Sequence, residues 1–130
     1  MDRTILLVED DPSLATVLPR ILRRLDAAVE QVGSGREALT RIGQGGIDLV
    51  VLDLGLPDMD GTDVCRLARQ GGFTGPVLVL TARHGPAPRE LALSAGADGY
   101  LTKPFTIHGL LGRLAPLLPD SDPVSGPGAL

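Results

Sequence analysis

Uninterrupted apolar runs alternate along this chain with stretches in which hydrophobic residues recur every three or four positions. Four of the runs stop at a residue able to do chemistry. Ile5-Leu6-Leu7-Val8 leads into Glu9-Asp10-Asp11, Leu49-Val50-Val51-Leu52 ends on Asp53, Val77-Leu78-Val79-Leu80 ends on Thr81, and Tyr100-Leu101-Thr102 leads to Lys103-Pro104. Short runs rich in Val, Ile and Leu read as strands buried on both faces of a parallel sheet.

Between the runs the spacing becomes helical. Leu14, Val17, Leu18, Ile21, Leu22 and Leu25 predict the inward face of a first helix, capped by Asp11 and carrying Pro12 in its first turn. Pro19 lies inside that pattern and predicts a kink rather than a break. Ala28 to Val32 predicts a second strand, and Ser34 to Ile42 a second helix with Ala38, Leu39 and Ile42 inward. Gly61 to Gln70 predicts a third helix closed by Gly71-Gly72. Arg83 to Pro88, with two prolines, reads as a loop before a short helix near Arg89 to Ala95. Ile107, Leu110, Leu111, Leu114 and Leu118 stripe a last helix that Gly109 and Gly112 weaken. Alternation of this kind predicts an α/β, doubly wound architecture. In such open sheets ligands bind outside the carboxyl ends of the strands. Carboxylates, a hydroxyl and an ammonium are therefore expected on one rim.

Composition narrows the function classes. At 130 residues the chain is one domain, long enough for a proper core, and with no Trp and 2% aromatic residues that core is built from Leu, Val and Ala. A net charge of −4 argues against binding nucleic acid through a basic surface. No apolar stretch approaches a membrane span, and the charged N-terminus is no signal peptide. The single Cys65 has no internal disulfide partner and reads as core filler, so a reducing cytoplasm is the expected compartment. Residues 119–130 are rich in Pro, Gly, Ser and Asp and are expected to be a disordered tail or a truncated linker.

Each rim motif alone has an ordinary explanation: a solvated acidic turn, a helix cap, a strand end or a surface charge. In order, however, Leu7-Val8-Glu9-Asp10-Asp11, Asp53 through Leu56-Pro57-Asp58-Met59-Asp60-Gly61, Leu80-Thr81-Ala82, and Gly96 through Phe105 resemble the receiver domain of two-component response regulators, over roughly residues 2 to 118. The resemblance implies a flavodoxin-like, five-stranded parallel sheet of order 2-1-3-4-5 with five helices. It also implies a phosphorylation-dependent switch rather than an ordinary enzyme, one that assists its own phosphorylation and dephosphorylation.

The same resemblance assigns roles. Asp53 would take a phosphoryl group from a sensor histidine kinase or a histidine phosphotransfer protein. Asp10 would ligate Mg²⁺ (or Mn²⁺) directly, together with Asp53 and the backbone carbonyl of Gly55, and Glu9 would act mainly through water. Lys103 would pair with Asp53 and then with a phosphoryl oxygen, its bond to Pro104 being a candidate cis peptide. Thr81 would donate to the phosphoryl group and Tyr100 would turn inward behind it. The surface of the fourth helix, fifth strand and fifth helix would then control a downstream protein or an output domain outside this sequence. Gly55 and Arg83, two residues past Asp53 and Thr81, would modulate attacking water. In the family's winged-helix regulators a charged dimer face uses an Asp where this chain has Gly99, and Arg113 has few acidic partners, so dimerisation is not implied. His84 and His108 are expected to be exposed bystanders.

Two other readings compete. Asp58-Met59-Asp60-Gly61-Thr62 matches the signature of haloacid-dehalogenase-like phosphatases, but Pro57 and a loop separate it from the strand ending at Asp53, and only Asp120 and Asp122 offer a late acidic pair. A receiver-like interaction module working without phosphorylation is the other. Intact Glu9, Asp10, Asp53, Thr81 and Lys103 argue against it.

Overall fold

A computed structural model of the protein describes residues 3–118. Five parallel strands stand in the order β2-β1-β3-β4-β5: β1 (Arg3–Val8), β2 (Ala27–Val32), β3 (Leu49–Asp53), β4 (Val77–Thr81) and β5 (Gly99–Thr102). The helices are α1 (Pro12–Leu22), α2 (Gly35–Gly43), α3 (Gly61–Gln70), α4 (Pro86–Ser94) and α5 (Ile107–Leu114). This is the doubly wound fold and strand order that the sequence predicts. The tail expected at 119–130 lies outside the described residues.

Strand alternation builds one core on each face of the sheet. Leu6, Val8, Val50, Leu52, Val77 and Val79 point towards Ala38 and Ile42 of α2, Val64, Cys65 and Ala68 of α3, and Ala92 of α4. Their neighbours Ile5, Leu7, Leu49, Val51, Leu78 and Leu80 point the other way, onto Leu18, Ile21 and Leu22 of α1 and Leu110 and Leu114 of α5. The central strands carry no polar alternation because both of their faces are covered. At the edge, β2 is only partly covered on both faces and accordingly carries Glu30 on one and Gln31 on the other.

Helix starts follow local chemistry. Asp11 accepts from the Leu14 N–H at 2.9 Å, Ser34 from Glu37 at 3.1 Å and Thr106 from Gly109 at 2.9 Å, each satisfying an orphan donor of a first turn. α1 continues through Pro19 and tightens into a 3₁₀ turn over Arg23–Leu25.

Three details differ from the sequence expectation. α4 begins at Pro86, so both prolines lie inside the helix rather than in a loop. They occupy its first turn, where backbone N–H groups have no intrahelical partner and a missing donor is harmless. Val17 is 50% exposed and Ile107 44% exposed, so neither joins the core that its spacing suggested. The buried stripes of α1 and α5 are narrower than their hydrophobic patterns.

Candidate functional site

The ends of β1, β3, β4 and β5 meet at one rim of the sheet. β1 and β3 lie side by side there, while the helices that follow them pack on opposite faces. A crevice opens at such a reversal. Carboxylate oxygens of Glu9, Asp10 and Asp53 lie within 4.8 Å of one another in it. Lys103 Nζ donates to Asp53 Oδ2 at 3.1 Å and to Glu9 Oε1 at 3.4 Å. Its own backbone N–H donates to the Thr81 carbonyl at 2.7 Å, extending the β4–β5 ladder, and the Lys103-Pro104 peptide is cis.

Backbone donors complete the cradle. The Gly55 N–H donates to Asp53 Oδ1 at 3.2 Å, and the Asp11 N–H to Glu9 Oε2 at 3.1 Å. Thr81 is buried, and its hydroxyl accepts from the Arg83 N–H at 3.0 Å. A hydroxyl used as an acceptor keeps its own proton to donate elsewhere.

Gly61 sets how closely α3 approaches. Its N–H donates to the Leu54 carbonyl at 2.9 Å, and a Cβ added there would lie 2.6 Å from the Asp53 carbonyl oxygen and 2.6 Å from Leu54 Cα. Only glycine lets the helix start against the strand end that carries Asp53.

Burial divides the carboxylates into different chemical roles. Glu9 is fully buried, whereas Asp10 is exposed. Burial, reinforced by the neighbouring Asp53, pushes the Glu9 carboxyl up to about 7. Burial also opposes ionisation of Asp53, but the bond shared with Glu9, the Gly55 N–H and Lys103 outweigh it and hold this carboxyl below the ordinary Asp value. Burial works against the Lys103 charge too, and Asp53 and Glu9 outweigh it, keeping the ammonium protonated. The proton of the pair thus resides on Glu9, and Asp53 stays an anion. With Glu9 ionised, three carboxylates face one ammonium. That excess of hard, negative oxygen donors fits a divalent cation.

Arg83 and Tyr100 form a second layer. The Tyr100 side chain is buried, and its hydroxyl donates to the Arg83 carbonyl at 2.9 Å. The Arg83 guanidinium donates to Asp60 Oδ2 at 2.7 Å. Asp60 in turn caps α3 by accepting from the Thr62 N–H at 2.8 Å, and its backbone pairs with Gly55 in an isolated bridge. Sequence reasoning gave Asp60 no part in this site; its position before an apolar helical stretch was the signal for the cap, and nothing marked the pairing. His84 and His108 are exposed, as expected.

The phosphatase signature finds no support in the geometry. Asp58 accepts from the N–H groups of Gly35 and Arg36, and Asp60 is occupied as above, both in the loop beyond Pro57. The sequence profile described as the response regulator receiver domain, in contrast, matches residues 5–115. This chain belongs to the response regulator receiver domain family. It is 44% identical over 124 residues to the response regulator MprA of Mycolicibacterium vanbaalenii, a match covering 95% of this chain and 54% of that protein. The receiver domain spans about half the length of the curated relatives it matches.

Solved receiver structures superimpose closely. The BeF3-activated N-terminal receiver domain of Klebsiella pneumoniae RstA has a TM-score of 0.83 at 35% identity, covering 91% of this chain and 100% of that one. The receiver domain of the Pseudomonas aeruginosa sensor histidine kinase PA1611, solved with a magnesium ion coordinated in its active site cleft, has a TM-score of 0.77 at 32% identity, covering 90% of this chain and 98% of that one. As a receiver domain of a two-component system, the chain is a phosphorylation-dependent signalling switch. Neither the phosphatase nor the phosphorylation-independent module is favoured.

Proposed function

We propose that Asp53 is the phosphoacceptor of this receiver, taking its phosphoryl group from a sensor histidine kinase or a histidine phosphotransfer protein. One observation carries the reading: of the two carboxylates that Lys103 touches, Asp53 has the shorter contact, 3.1 Å against 3.4 Å for Glu9, is the one held in its ionised form, and lies beside Asp10 as well. An Asp53 oxygen forms a bond to phosphorus as the phosphorus–nitrogen bond of the donor histidine breaks, and the imidazole nitrogen keeps the electron pair and takes up a proton. Lys103 then shifts its ammonium from the carboxylate to a phosphoryl oxygen, and Thr81 donates its hydroxyl proton to another.

Mg²⁺, or Mn²⁺, would be held by Asp10, Asp53 and the Gly55 carbonyl with Glu9 behind them, neutralising phosphoryl oxygens during transfer. A divalent cation held there would favour the ionised form of Glu9. The same Lys103 and Thr81 support loss of the group: water attacks phosphorus, the bond to the Asp53 oxygen breaks, the carboxylate leaves with the electron pair, and the water's oxygen and protons depart in inorganic phosphate. Gly55 offers no side chain to hinder that water, so shielding falls to Arg83. This is the sense in which the switch assists its own phosphorylation and dephosphorylation.

Thr81 and Tyr100 carry the signal to the surface of α4, β5 and α5, where Leu91 is 64% exposed and Ile107 44% exposed. A downstream protein or an output domain reads that surface, with residues 2–118 acting as the switching unit in the cytoplasm. Intact mass after incubation with acetyl phosphate and Mg²⁺ tests the assignment. Wild type gains one phosphoryl group and Asp53→Asn gains none; equal labelling of the two proteins removes Asp53 from the role.

A further inference from the structure

Three bonds converge on Arg83, from three directions. Its N–H donates to the Thr81 hydroxyl at 3.0 Å, its carbonyl accepts from the Tyr100 hydroxyl at 2.9 Å, and its guanidinium donates to Asp60 at 2.7 Å. The first two contacts belong to the residues that move in the switch. The third reaches across the mouth of the site to the other side, because Asp60 caps α3 and its backbone is paired with Gly55. Asp60 divides its two oxygens between tasks, Oδ1 on the Thr62 N–H and Oδ2 on Arg83.

The segment that Arg83 anchors is poorly fixed otherwise. Residues 82–87 are exposed, α4 has no side-chain cap, and Gly85 before it has φ 98°, a left-handed value that leaves the join to the helix without a rigid side-chain constraint. Tyr100 is buried, yet its hydroxyl is directed at the backbone of this exposed segment. Where that backbone sits decides whether the hydroxyl has a partner. A buried tyrosine hydroxyl without one loses its reason to stay inward.

We propose that Asp60 is a positioning residue of the switch: by holding the Arg83 guanidinium it fixes the segment between β4 and α4 so that Tyr100 is kept inward. The inference rests on the reading of Thr81 and Tyr100 as switch residues given above, but not on Asp53 being labelled. Both partners of the ion pair are partly exposed, at 44% and 38%, so a shift of the Tyr100 equilibrium of up to about fivefold is the scale to expect. Asp60 sets the resting balance of the switch and touches neither the phosphoryl group nor the metal.

The chain contains a single tyrosine, so biosynthetic meta-fluorotyrosine places one ¹⁹F reporter at Tyr100. Asp60→Asn retains an oxygen for the Thr62 N–H and removes the charge that binds Arg83. Its resonance should move from the wild-type position towards that of exposed fluorotyrosine, and Arg83→Ala should move it the same way. In the double variant the Asp60 substitution should add nothing further. Wild type at about 1 M salt, where screening acts over about 3 Å, should move in the same direction, which supplies the answer even if Asp60→Asn folds poorly.

A resonance unmoved by Asp60→Asn and by salt overturns the proposal and returns Asp60 to helix capping alone. So do shifts from the two substitutions that add in full. Wild-type labelling by acetyl phosphate is measured in parallel: normal labelling with an unmoved resonance rejects the latch and keeps the phosphoacceptor. A moved resonance without labelling keeps the latch and rejects the phosphoacceptor.

Discussion

Lys103 donates to Asp53 at 3.1 Å although fifty positions of sequence separate them. The contact exists because β5 and β3 flank β4 in one parallel sheet, so that residues just past their carboxyl ends share a rim. It also makes Lys103 the cation that Asp53 and Glu9 share, at a place where the two carboxylates are buried. Removing one partner of a buried charge group leaves the others uncompensated.

Lys103→Gln should therefore destabilise the Mg²⁺-free protein at pH 8 by about 1–3 kcal/mol, less than the loss of a fully buried partner because the Lys103 side chain is 21% exposed. At pH 5 Glu9 is protonated, with its carboxyl at about 7, and fewer negative charges then need the lysine. The penalty should shrink accordingly. Urea unfolding of both proteins in EDTA at the two pH values measures the difference; an equal penalty at both would show that Lys103 acts through packing and not through charge.

Stability of the metal-free protein should fall as pH rises from about 5 to 7.5. The Glu9 carboxyl stands at about 7 in the fold against 4.5 in the unfolded chain, so between those values the folded state holds the extra proton and loses stability as it is removed. A displacement of that size corresponds to up to about 3 kcal/mol. Asp53 works oppositely and in another window, because its lowered value contributes stability that is lost only as pH falls below about the 3.8 of the ordinary group. The raised Lys103 loses its contribution only above 10.5. Glu9→Gln should flatten the slope and be the more stable protein at pH 7.5, and Mg²⁺ should stabilise wild type most at the high end. Chemical denaturation across the range decides it, and a wild-type curve flat between pH 5 and 7.5 would refute the assignment to Glu9.

The rim residues were legible because they end runs whose apolar character is continuous. A residue such as Asp53, charged and placed after four residues buried by two covering layers, stands out as a break in a pattern that admits no other polar position. Burial of Glu9 was not legible, since it depends on how far β1 extends between β2 and β3. The Arg83–Asp60 pair was hidden for a similar reason: two charges in different loops carry no mark of facing one another. Pro86 and Pro88 read as loop residues because proline is a strong breaker, yet a helix's first turn is where that breaker does no harm. Val17 and Ile107 show the limit of periodicity, which finds the apolar side of a helix but not how wide a strip of it the sheet can cover.

Gly61 allows a sharper test of how the fold sets the site. Because Gly61 is the first residue of α3, alanine there would ordinarily favour the helix by up to about 1 kcal/mol. Against that, the new Cβ would meet the Asp53 carbonyl oxygen and Leu54 Cα at 2.6 Å, and both are backbone atoms that no rotamer change moves aside. Overpacking of this kind costs about 1–3 kcal/mol, so the clash should outweigh the propensity and Gly61→Ala should be destabilised. Relief requires α3 to retreat from the end of β3, which lengthens the Gly61–Leu54 hydrogen bond and disturbs the segment that carries Asp53 and the Gly55 N–H. Labelling by acetyl phosphate should consequently slow severalfold even at a temperature where the variant is fully folded. Gly43, on α2 and with open space around its Cβ position, is the control: alanine there should leave labelling unchanged. A Gly61→Ala protein as stable as wild type and labelled at the same rate would show that the close approach of α3 is incidental to the site.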